Sequence, residues 1–132
     1  MTELVDVDRV RRAIALFHTA RPSVLRAMFT DDILWRVPHT HPLAADIEGI
    51  DDVLAFLQRV QDETDGTFSA TPIDLAVSDT RIFCLMRVQA KRRGKALDQH
   101  AVSLWRMRGD GRICERELFL EDPAAADDFW SY

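Results

Sequence analysis

Long apolar runs are missing from this chain. Nowhere do eighteen apolar residues follow one another, so no segment is expected to span a membrane. The opening residues, Met1 to Arg9, carry neither a basic stretch nor an apolar one behind it, which argues against a secretory leader and makes the cytoplasm the expected location. Cysteine is scarce. Cys84 and Cys114 stand thirty residues apart inside β-rich runs, without the short spacing of a metal or redox pair, and read as buried free thiols. A basic surplus is absent too, since 17 Lys and Arg face 22 Asp and Glu for a net charge of -5. The basic residues gather only at Lys91, Arg92 and Arg93, a run that suits a strand end or turn, so nucleic acid is not an expected partner. Repeats, low-complexity segments and long linkers are likewise absent, leaving one domain over residues 1–132.

What is present is an ordinary globular balance of 47% hydrophobic and 30% charged residues. Val7, Val10, Ile14 and Phe17 recur at helical spacing and predict an amphipathic helix over 6–19. Pro22 suits the first position of a second, short helix with Val24, Leu25, Met28 and Phe29 on one face. Ile33–Val37 is β-rich and stops at Pro38, which predicts a short edge strand, followed by a loop through Gly49. Ile50, Val53, Leu54, Leu57 and Val60 predict a helix over 50–63. Four β-rich runs follow at 68–77, 81–90, 96–107 and 113–120, separated by short turns. The tail from Glu121 to Asp128 reads as solvated. Helices first and consecutive strands after them predict an α+β domain, three N-terminal helices on one face of a curved, mostly antiparallel sheet.

The string Phe29 to Pro38, then Pro42-Leu43, Gly49 before the third helix, Gly109-Asp-Gly-Arg-Ile113 before the last strand and the terminal Phe129-Trp130 carry a resemblance in their order and spacing. Together they resemble the SnoaL-like branch of the nuclear transport factor 2-like superfamily. The resemblance implies a cone-shaped fold with an apolar pocket in its mouth, assembled as a homodimer through the sheet; no cofactor is expected. It does not imply one activity, because the scaffold hosts isomerases, cyclases, hydrolases and non-catalytic subunits. Its ketosteroid isomerases set a carboxylate base, a tyrosine and a protonated acid at positions that fall here on Val37, Ala13 and Ser103, and all three groups are missing. The acid of limonene-epoxide-hydrolase-type enzymes falls on Leu118, and their middle-strand pair on Arg81 and Phe83. Many SnoaL-like cyclases also place an acid near Leu118, where Glu117 is one residue away.

The remaining polar groups define the candidates. His39 and His41, in Pro38-His-Thr-His-Pro42, are candidate catalytic residues at the implied pocket mouth, with solvated loop histidines as the alternative. No Glu or Cys stands nearby at ligand spacing, so no metal site is expected. Strand alternation puts Gln99, Ala101, Ser103 and Trp105 on one face and His100 on the other. On the last strand, Cys114, Arg116, Leu118 and Leu120 alternate against Ile113, Glu115, Glu117 and Phe119 without a cleanly apolar set. Arg116 is either an inward counterion for an anionic ligand or an exposed arginine paired with Glu115 or Glu117, and Arg36 faces the same choice. The expected ligand-binding set is Ala13, Phe17, Phe29, Arg36, Val37, Ser103, Trp105, Arg116 and Leu118, with His39, His41 and Glu117 as candidate catalysts. Trp35, Phe17, Phe29 and Phe56 read first as core. The expectation is a pocket for a small apolar molecule without a recognisable catalytic set. One alternative is an isomerase, cyclase or hydrolase built from His39, His41, Arg36, Ser103 and Glu117, and another is a non-catalytic interaction module.

Overall fold

A computed structural model describes Ile14, residues 21–37 and residues 46–131. Ile14 is helical and fully buried, while the rest of the helix expected at 6–19 lies outside the described residues, as do Ala13, Phe17, His39 and His41. Helix α1, Pro22–Met28, starts on Pro22 as expected, and buries Leu25. Strand β1, Phe29–Arg36, follows it without a break. It therefore starts at the residue expected to end the helical face. Strand β2, Asp46–Glu48, falls in the stretch expected to be loop and pairs antiparallel with β1.

Helix α2, Ile50–Glu63, has the expected bounds. Gly49 precedes it with φ 96°, a conformation that a Cβ would strain, and its N–H donates to Ile33 O at 2.9 Å, tying the helix start to β1. The helix closes at Thr64, whose buried hydroxyl donates to Val60 O at 2.8 Å. Strands β3, Ser69–Val77, β4, Arg81–Arg92, β5, Lys95–Met107, and β6, Ile113–Leu120, form the expected meander. Helix α3, Pro123–Trp130, replaces the expected solvated tail. Asp122 caps it by accepting from Ala125 N–H at 3.0 Å, and Pro123 sits at the first helical position. One of the three described helices is thus C-terminal.

The six strands form one sheet in the order β2-β1-β6-β5-β4-β3. All neighbours are antiparallel except β1 and β6, which run parallel. β1 is accordingly an interior strand, and the short β2 takes the edge that had been expected of it. The β4–β5 register pairs Ile82 with Trp105, Cys84 with Ser103 and Met86 with Ala101, all buried on the inner face. Both cysteines are buried, and they form no disulfide with one another. No described helix is long and apolar enough to cross a membrane.

Candidate functional site

Partners directly across a sheet share a face, so register decides what points inward. Arg116 stands opposite Trp105 on β5 and beside Trp35 on β1, and both tryptophans are fully buried. That register carries Arg116, Leu118 and Leu120 inward and sends Glu115, Glu117 and Phe119 to the outer face. The bulge between β5 and β6 lies at Arg106/Met107, before this set, and does not exchange the two faces.

Between the inner face, α2 and α3 lies a cavity of about 70 Å³. β1 supplies Trp35 to its wall and Val37 follows just beyond the strand, α2 supplies Phe56, Leu57 and Val60, and α3 supplies Ala126 and Trp130. Phe68, Val88, Leu97, Leu118 and Leu120 complete the apolar lining, and Arg116 is the one charged side chain among the described lining residues.

Arg116 is 6% exposed. Its Nη1 donates to Arg36 O at 3.2 Å, and its Cζ lies 4.4 Å from the centre of the Trp35 ring. Its Nε is buried without a hydrogen-bond partner among the described residues. Burial pushes the guanidinium down to about 9, which leaves it charged at neutral pH. Glu115, the carboxylate one residue away, instead faces outward to Arg106 at 3.3 Å and Arg36 at 3.7 Å.

Of the expected ligand-binding residues, the structure therefore gathers Val37, Arg116 and Leu118 at the cavity. Phe29, Ser103 and Trp105 are core instead. Phe29 and Trp35 rings lie 5.7 Å apart, as do those of Trp35 and Trp105. Ser103 Oγ accepts from Trp105 Nε1 at 2.6 Å and donates to Met86 Sδ at 3.3 Å. Arg36 points outward, within 3.9 Å of Asp46 and 3.7 Å of Glu115, and Glu117 sits half-buried on that same outer face, away from the cavity. The α3 contribution was missed, although Asp122-Pro123 is a recognisable helix start.

A larger, open groove crosses the outer face beside Arg87, Asp98, His100 and Glu121. Its charges are already matched: Arg87 donates to Asp98 at 2.9 and 2.7 Å, and His100 Nδ1 lies 3.2 Å from Glu121. The hydrogen bond from Arg87 holds the Asp98 carboxyl below its usual range. The smaller cavity holds a buried guanidinium with no carboxylate partner among the described residues. No cluster of metal-ligating side chains occurs among the described residues.

Solved proteins of the nuclear transport factor 2-like and cystatin-like kind share this fold. A Xanthomonas campestris protein of unknown function with a cystatin-like fold is 25% identical with TM-score 0.88, covering 98% of this chain and 100% of its own. Bal32a, from a soil-derived mobile gene cassette, is 30% identical with TM-score 0.87, covering 93% and 94%. The SnoaL-like domain matches residues 10–116, and the chain belongs to that family. The uncharacterized protein Rv0034 of Mycobacterium tuberculosis is 37% identical over 132 residues, 99% of this chain and 100% of the relative.

Proposed function

We propose that the chain is a small-molecule-binding SnoaL-like protein whose ligand occupies the cavity between the sheet, α2 and α3. The observation that carries this reading is the cavity wall itself, among whose described residues are twelve apolar side chains and one arginine left short of acceptors. Apolar lining with a single placed polar group is the usual make-up of a ligand site. Stable folding does not require such a group, since an unpaired guanidinium in apolar surroundings costs stability. The described wall offers no carboxylate or imidazole to move a proton, so binding is the reading it supports over turnover.

The test is a methyl-resolved NMR titration with benzene, following Leu57, Val88 and Leu118. Saturable shifts at those methyls are expected, and Leu118→Trp, which fills the cavity, should abolish them. Unchanged wild-type spectra would remove the ligand-binding reading. The protein also works as a homodimer in this proposal, joined through the outer sheet face, where Phe83, Leu85 and Phe119 are exposed.

A further inference from the structure

Two arginines are buried in the described part of this molecule, and they are treated differently. Arg92, 3% exposed, donates to Phe129 O at 3.2 Å and Ser131 O at 3.0 Å, and its Nη2 lies 3.3 Å from the Glu63 carboxylate. Its charge is compensated, and it ties α3 to β4 and α2. Arg116 is as deeply buried but has one carbonyl acceptor and no carboxylate among the described residues.

The guanidinium is nonetheless held in place. The Nη1 bond to Arg36 O fixes one corner, and the Trp35 ring, 4.4 Å from Cζ, backs the guanidinium. Both constraints leave the edge formed by Nε and Nη2 without a bond to a described residue. Two parallel N–H groups on that edge match the two oxygens of a carboxylate. One fixed guanidinium neutralises one negative charge, so a dianion would bring an uncompensated charge into an apolar space. Size narrows the class further: about 70 Å³ is room for roughly five water molecules, about the volume of one aromatic ring.

From this we infer that the cavity takes a small apolar monocarboxylate, of about single-ring size, whose carboxylate pairs with the Nε–Nη2 edge of Arg116 while its body packs on Trp35, Leu118 and Val88. The inference rests on the ligand-binding reading of the cavity and names the ligand class for it. It also accounts for what the fold alone does not: a charge buried without a counterion among the described residues is completed by a ligand that brings one.

The experiment compares benzoate with benzamide, which share a ring and differ in charge, by calorimetry and by the Nε–Hε NMR signal of Arg116. Benzoate should bind the wild type about ten- to hundredfold more tightly than benzamide and shift the Nε–Hε signal, as expected for a charge-assisted bidentate pair. Arg116→Met should remove that preference, and benzamide affinity should change about twofold or less. Arg116→Lys keeps the charge without the planar fork and should retain an intermediate preference, which also covers a Met variant that fails to fold. Equal binding of benzoate and benzamide, unchanged by either substitution, would overturn the carboxylate inference and leave the cavity as an apolar site. Binding of neither probe, together with no response to benzene, would overturn both.

Discussion

At the scale of single residues, the two buried arginines make opposite predictions. The lowered affinity of Arg116 for its proton means that its surroundings disfavour the charged form on balance, despite the Arg36 carbonyl and the Trp35 ring. Arg116→Met should therefore stabilise the ligand-free protein by about 1–3 kcal/mol, a rise of several degrees in Tm on thermal denaturation. Arg92→Met removes the donor from two carbonyls and the partner from Glu63, and should cost about 3 kcal/mol. A fall in Tm for both variants would make Arg116 a structural residue. The pH dependence has a definite sign. The free site carries its charge at neutral pH, so benzoate affinity should stay level there and fall as pH passes about 9, where Arg116 gives up its proton. No other described lining residue titrates.

At the scale of elements, α3 has only eight residues and is too short to persist alone. It is held by the Asp122 cap, by Gln99, which accepts from Asp122 N–H at 2.8 Å and donates to its carbonyl at 3.0 Å, and by Lys95, which donates to Asp128 O at 2.7 Å. Because α3 carries Ala126 and Trp130 into the cavity wall, loosening it should loosen the site. Asp122→Ala should cost about 0.5–2 kcal/mol and speed amide exchange throughout α3, with weaker benzoate binding. Exchange in β4 and β5 should change far less, because their long ladder does not depend on the cap.

At the scale of the whole molecule, the outer sheet face carries a row Leu85, Val102, Phe119 across three strands beside a row Phe83, Leu104, Glu117. Phe83 and Phe119 are 41% and 52% exposed, which is unfavourable for aromatic side chains on a free surface. The flanks carry both signs, Arg87 and Asp98 on one side and Arg106 and Glu115 on the other, so a second copy turned through a two-fold can meet opposite charges. Light scattering should return twice the 15.1 kDa chain mass, and Phe119→Asp, placing charge in the apolar row, should return a monomer with an unchanged circular dichroism spectrum. A wild-type monomer at micromolar concentration would end the dimer proposal.

Local pattern by itself determined a great deal. The 3.6-residue period of Ile50 to Val60 set α2, and the alternation of Gln99 to Trp105 set which residues of β5 share a face, because both are properties of neighbouring residues. The edge placement of β1 failed because its partner β6 is about eighty residues away, and no local signal announces a parallel pairing. The tail failed through an unread local signal, Asp122-Pro123. Arg116 is the clearest division between the two sources. Its own strand offers carboxylates on both sides at Glu115 and Glu117, and the sequence left its face open. Only the register against Trp105 and Trp35 sends those carboxylates outward and the guanidinium inward. That choice belongs to the tertiary structure because one residue of slip along a strand exchanges its two faces, and the register is set by the combined packing of β1, β5 and the helices above them.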